Sequence, residues 1–394
     1  MALFLYAAAN VVVLSFVPAA LFAGERHGSG APGYPRLRAP WLVAMARSRA
    51  GRALGAVLGL AAVVAAGLSG AGLLWAVAGF AVAGNLWTLL NPWAAVHDLV
   101  WRPGWRGPRF ALPERLGAWP AVAAAAGLAG AELVPAPLRS PQVVLPLAAS
   151  YSALTLAGMA LFGRDEWLSR CEGLTTLFGV VGRLGPVETA SGADGRLEQV
   201  WLRPWGAGLL DRQRPGWDRV VLVVLLLSAL ALTGLLGTAP WQALAGAVPM
   251  GSLTAAIVGL LLLTAAILGV FAAFARLMLT LAGGAADDLA AITGFALTLV
   301  PVALMYDAAL AAGLVLGQAQ AVLPSWALAR PDAVWYLQVT LVVIGHAVAV
   351  HLAHRHAGAQ FRTARRALLA QYPMVVLLVI STMTSMWILA QPLV

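Results

Sequence analysis

Long apolar runs dominate the chain, and their spacing sets the first expectation. A helix that crosses a bilayer needs about 20 mostly apolar residues. Runs of that kind fall near 2–23, 53–71, 73–96, 116–135, 143–162, 220–238, 251–275, 290–316, 335–354 and 374–391. The pattern predicts an all-α polytopic integral membrane protein of about ten transmembrane helices, forming one domain over 1–394. The second and third runs are separated only by Gly70-Ala71-Gly72, which reads as a tight hairpin or one broken segment. The long connection at 163–219 carries an amphipathic stretch, with Trp167, Cys171, Leu174, Phe178 and Val181 on one stripe opposite Arg170, Glu172 and Thr176. That spacing predicts a helix lying along the inner membrane surface. Beyond it, Gly192-Ala193-Asp194-Gly195 reads as a turn between two short extended pieces, the second ending at Trp201-Leu202-Arg203-Pro204. Gly51, Gly55 and Gly59 recur every four residues, a spacing that lets a neighbouring backbone approach closely.

Charge orients this array. The chain has 25 arginines and no lysine, and the odd-numbered connections hold 23 of them against 2 in the even-numbered ones. Basic residues of short loops stay in the cytoplasm, so both termini are predicted outside and the 163–219 loop inside. No basic residue precedes the run at 2–23, whereas Arg26, Arg36, Arg38, Arg47, Arg49 and Arg52 follow it; it reads as a retained helix, not a cleaved signal. Trp93, Trp105, Trp217 and Trp335 stand near run ends, where indole rings anchor helices at the interface.

Composition agrees. Hydrophobic residues make up 61% and charged residues 10%, where a soluble domain carries roughly 25% charge. A net charge of +9 in a soluble protein would suggest nucleic acid, but these arginines flank apolar runs, so lipid headgroups are the expected partner and nucleic acid is not. The expected location is the inner membrane of a bacterium. The single Cys171 excludes an internal disulfide and a cysteine-built metal site.

Ionisable side chains deep in a membrane are costly and mark function by default. Asp307 and His346 are the two that lie clearly deep within predicted spans, with Tyr306, Gln318 and Gln338 flanking on the same pair of helices. Opposed helix directions put the pair within about one helical turn of depth. They read as a proton-coupled or substrate-binding site, or as one hydrogen bond that locks two helices. A second group, His27, His97 with Asp98, His351, His354 and His356, falls on the cytoplasmic side, where a divalent metal or solvated loops are the alternatives. A haem held by His346 alone is a further option. Asn91-Pro92-Trp93 reads as a helix stop with an interfacial anchor. There is no phosphate-binding glycine loop, no dinucleotide fingerprint and no Gly-x-Ser-x-Gly elbow.

The chain resembles a family of bacterial multi-pass membrane proteins commonly labelled fenitrothion hydrolase. The resemblance runs through Leu90-Asn91-Pro92-Trp93, Leu161-Phe162-Gly163, Leu177-Phe178-Gly179, Leu299-Val300-Pro301-Val302, Trp335-Tyr336-Leu337-Gln338-Val339, Gly345-His346, Leu352-Ala353-His354 and Gln371-Tyr372-Pro373-Met374. It implies a metal-assisted phosphoester hydrolase and carries over His346 and His354. Family members place Ala-His-Tyr where this chain has Ala309-Leu310-Ala311, so Asp307, on roughly the same helix face, stands nearest the missing histidine. Three functions follow as expectations: a membrane subunit or scaffold for a separately encoded protein, with a redox protein among the options; a proton-coupled secondary transporter; and a membrane-embedded metal hydrolase.

Overall fold

The computed structural model describes residues 36–69, 79, 82–100, 109–134, 139–191, 197–211, 215–320 and 331–391. The run at 2–23, His27, the Gly70–Gly72 junction and Trp105 lie outside them. Where the pattern predicts one domain, the chain divides into two compact units, Tyr34–Gly208, and Met1–Gly33 with Leu209–Val394; the division falls inside the long connection.

The unit Tyr34–Gly208 starts with β1 (Leu37–Arg38), α1 (Pro40–Arg47) and α2 (Arg49–Ser69). Ser48 makes the joint between the two helices: its hydroxyl donates to the Met45 carbonyl at 2.8 Å and accepts from the Gly51 N–H at 2.9 Å. The glycine spacing of α2 has a structural use. A Cβ at Gly55 would stand 2.6 Å from the Leu89 carbonyl oxygen, and one at Gly59 would overlap the Leu90 carbonyl, so only glycine admits the neighbouring backbone.

The described part of the third predicted run is two short helices, α3 (Trp87–Leu90) and α4 (Pro92–Val100). Asn91 breaks them apart because Pro92 offers no N–H, and the Asn91 carboxamide oxygen then caps α4 by accepting from the Ala94 N–H at 2.9 Å. The fourth run also departs from expectation. Its helix, α5 (Trp119–Glu132), has 14 residues and is about 21 Å long, short of the ~30 Å hydrocarbon core. It packs inward through Ala121, Val122, Ala125 and Ala129.

After α6 (Pro141–Phe162) the expected amphipathic helix is two pieces, α7 (Arg164–Arg170) and α8 (Gly173–Val181). The residues assigned to its solvated face, Arg170, Glu172 and Thr176, are all buried. Arg170 explains the difference: its guanidinium donates to the carbonyls of Gly117 at 3.0 Å and Pro113 at 2.5 Å and pairs with Glu166 at 2.5 Å, pinning a loop across the helix. The stretch is therefore core, not a surface-lying amphipath. The two extended pieces are β2 (Val187–Ser191) and β3 (Leu197–Leu202), antiparallel, with β1 on the other side of β3 in the order β1-β3-β2. The third strand, β1, was not signalled by its two exposed residues. Ala39, Val187 and Val200 close a small core beneath this sheet.

The described part of the second unit is helical: α9 (Trp217–Leu236), α10 (Ala239–Gly246), α11 (Ser252–Ala282), α12 (Asp288–Leu297), α13 (Val300–Gln320), α14 (Pro331–Gln360) and α15 (Ala364–Leu389). α13 packs on α14, α14 on α15, α15 on α11, α11 on α9, and α9 on α13. Close approach of α13 and α14 rests on Gly345, where a Cβ would meet Met305 Cβ at 2.7 Å and the Pro301 carbonyl oxygen at 2.8 Å. Across the described residues of both units, seven helical segments are long and apolar enough to cross a membrane: Arg49–Leu68, Pro141–Phe162, Trp217–Leu236, Ser252–Ala282, Asp288–Leu316, Ala333–Gln360 and Ala364–Leu389.

Candidate intramembrane site

Asp307, Tyr306 and His346 are all buried, with Asp307 at 0% and His346 at 1% exposure. His346 lies on the buried side of α14, whose outward positions are Tyr336, Thr340, Ile344 and Arg355. Its Nδ1 donates to the Val342 carbonyl at 2.7 Å, which leaves Nε2 as a lone-pair acceptor in the neutral ring, with no hydrogen-bond partner among the described residues. Both carboxyl oxygens of Asp307 and the Tyr306 hydroxyl likewise have no hydrogen-bond partner among the described residues.

The register between α13 and α14 decides whether Asp307 and His346 meet. Gly345 lies beside Pro301 and Met305, while Gln338 Nε2 donates to the Ala309 carbonyl at 3.0 Å and stands where a Cβ on Gly313 would go. His346 is thus level with the turn 301–305, and Asp307 is about one helical turn further along. Residues 301, 305, 309 and 313 form the face of α13 turned to α14. Asp307 stands two positions from 305 and from 309, on the opposite side of the helix at ~100° per residue. The two side chains do not form the bond that would lock α13 to α14. Tyr306 points to α9, its hydroxyl filling the space above Gly234, where Ile388 of α15 also reaches. Gln338 is a positioning contact between helices. The side chain of Gln318 lies outside what is described.

Among the described residues no three His, Cys, Asp or Glu side chains come together as metal ligands. Asp98 is held instead by Arg164, whose Nε lies 3.2 Å from its Oδ1, with His97 Nδ1 at 3.4 Å, so a cation already takes the carboxylate a metal would need. His354 Nδ1 donates to Gln371 Oε1 at 2.9 Å, and His356 Nε2 donates to the Ala291 carbonyl at 3.2 Å with its ring edge-on to Phe295. These two fasten α14 to α15 and α12; His351 is a half-buried residue of the same helix.

Trp93 is also reassigned. It is buried, donates from Nε1 to Ser152 Oγ at 2.9 Å and packs on Tyr151, so it is a core residue of its unit and not an anchor facing lipid. Trp217 is 40% exposed at the start of α9, and Trp335 is half-buried near the start of α14.

One polar centre escaped the sequence reading. Glu172 is 1% exposed and caps α8, accepting from the N–H groups of Leu174 at 2.9 Å and Thr175 at 2.6 Å, from the Thr175 hydroxyl and from the Tyr151 hydroxyl. Thr175 Oγ1 in turn accepts from Trp87 Nε1 at 3.1 Å and Asn91 Nδ2 at 3.0 Å. The signal that pointed to it is Glu172 directly before the apolar stretch 173–181, a helix-capping position. Compared with protein-family models, with curated proteins and with solved structures, the chain matches none.

Proposed function

We propose that the chain is a multi-pass membrane protein that carries a small solute together with protons through the interior of its carboxy-terminal unit. Asp307 is the proton-binding carboxyl of this reading, and His346 Nε2 and the Tyr306 hydroxyl are the polar groups that the proton or solute meets. The observation that carries it is the set of four buried polar atoms left without partners on α13 and α14. A buried carboxyl without hydrogen bonds costs on the order of 1–3 kcal/mol, so a purely structural role gives no return for it. Groups that suit such carboxyl oxygens are a proton, a cation or an N–H group of a solute. A separately folded subunit does not supply one, because Asp307 and His346 are closed to the surface and only a small species that enters the bundle reaches them.

In this reading the arginine-rich connections face the cytoplasm and the membrane is the bacterial inner membrane. Two measurements test it. Purified protein in lipid, stepped through pH and followed by infrared difference spectroscopy, should show a carboxyl C=O band that Asp307→Asn removes. Proteoliposomes loaded with a pH-sensitive dye and exposed to a panel of small amines, amino acids and organic acids should show solute-dependent proton entry that Asp307→Asn abolishes. An unchanged band and equal proton movement in the variant would remove Asp307 from the mechanism and with it this function.

A further inference from the structure

The unit Tyr34–Gly208 contains a cavity of about 560 Å³ walled by the end of α1, the start of α2, the α3–α4 break and α7. Its charged lining is Arg47, Arg52, Arg164, Asp98 and Asp165. Arg164 is engaged by both acids, at 3.2 Å from Asp98 and 2.7 Å from Asp165. Among the described residues neither acid is engaged by Arg47 or Arg52, and three arginines against two aspartates leave the cavity with one net positive charge. Arg52 Nε is out of contact with solvent and has no acceptor among the described residues, an expensive state for a group that is always charged. α2 also begins here with no acidic residue in its first turn, so the positive end of its dipole adds to the arginines instead of being offset. Thr88 and Asn91 line the same space and add side-chain polar atoms.

We infer that this cavity binds the phosphate group of an anionic phospholipid. The chemistry is that of a phosphate oxygen accepting from the guanidinium of Arg52 and facing the charge of Arg47. The lipid, and not a dissolved phosphate compound, is indicated by position. Arg47 and Arg52 flank the first turn of a candidate membrane span that starts at Arg49, the depth at which headgroups lie. The neighbouring Trp41, Met45, Leu54 and Val57 are exposed apolar side chains that suit contact with acyl chains.

The test uses the full chain in a nonionic detergent. Phosphatidylglycerol and phosphatidylcholine are titrated separately, with binding read by native mass spectrometry and by melting temperature, and inorganic phosphate is titrated as a third arm. The expected result is retention of phosphatidylglycerol over phosphatidylcholine, weakened about tenfold or more in Arg52→Gln, since one charge-assisted bond carries roughly that much. Arg47→Gln, at an exposed position that tolerates substitution, should weaken it in the same direction and covers the case of an unstable Arg52 variant. Arg355→Gln, in the other unit, should leave binding unchanged. Stabilisation by inorganic phosphate alone, lost in Arg52→Gln, would keep the phosphate site and overturn the lipid as its source. Equal retention of the two lipids, no response to phosphate, or lipid binding unchanged in both arginine variants would overturn the site altogether.

Discussion

Removing the Glu172 carboxylate should uncouple α8 from α3, α4 and α6. Glu172→Ala strips the cap from α8, which costs about 1 kcal/mol. It also leaves the Thr175 and Tyr151 hydroxyls facing an empty acceptor position in a buried setting, at about 1–3 kcal/mol for a stranded group. A total loss of about 2–4 kcal/mol follows, or several degrees of melting temperature at ~2–4 °C per kcal/mol. Glu172→Gln keeps the volume and one acceptor but turns an amide N–H toward other donors, and should lose about half as much. Tryptophan fluorescence during thermal unfolding in detergent is the natural readout, because Trp87 packs on Trp93 and Phe178 directly beside the network.

The same residue predicts a pH profile. Burial pushes the Glu172 carboxyl above the ordinary glutamate range, the hydrogen bonds from Thr175 and Tyr151 pull it back, and the balance is upward. A carboxyl raised above ~4.3 on folding binds more protons folded than unfolded, so its contribution is complete below ~4.3 and is lost as pH rises through the folded-state value. The parent should therefore melt progressively earlier as pH rises through that window, and Glu172→Gln should flatten this part of the profile. Unchanged melting in Glu172→Ala, or a pH slope that survives Glu172→Gln, would refute the reasoning.

Three further outcomes are expected. Gly345→Ala should push α14 away from α13, since ordinary contact needs about 1 Å more than the 2.7 Å available to Met305 Cβ; an overpacking loss of about 1–3 kcal/mol should appear in thermal unfolding, and an unchanged melting temperature would mean that the helices are not in contact there. Asp307→Leu, which removes two unpartnered oxygens, should raise stability by about 1–3 kcal/mol while eliminating proton movement in proteoliposomes; a destabilised variant would mean that the carboxyl has a structural bond. Cys171 is 7% exposed and burial raises its thiol, so it should react slowly with a maleimide at neutral pH in the folded protein and rapidly once unfolded, as read by intact mass.

How far the fold was legible depended on how local its causes are. The long apolar helices were readable because lipid-facing helices must satisfy their own backbone and show themselves as uninterrupted runs. The run at 116–135 looked equivalent by length and apolarity, yet Leu133 and Val134 leave the helix before Pro135 and it ends too short to span. Arg170 and Glu172 were placed on a solvated face because an amphipathic count weighs polarity and cannot see who satisfies it. Their environment comes from afar: Asn91 and Trp87 reach Thr175 across 84 and 88 residues of chain. Asp307 and His346 were legible as buried ionisable residues, because each is set deep in a long apolar run. Their facing was not, because it depends on which glycines set the register between α13 and α14.

The two buried acids, Glu172 and Asp307, show how structure separates roles that sequence does not. Both are carboxyls closed to solvent, and both would be ranked alike by an inventory of ionisable residues in an apolar chain. Glu172 receives four donors and sits at the start of a helix whose dipole favours negative charge, so its hydrogen bonds work against the cost of its burial and its removal should cost stability. Asp307 receives none, and its removal should add stability. A group held where it destabilises the fold has a use outside the fold, and under the proposed function that use is to bind a small species that enters and leaves the bundle.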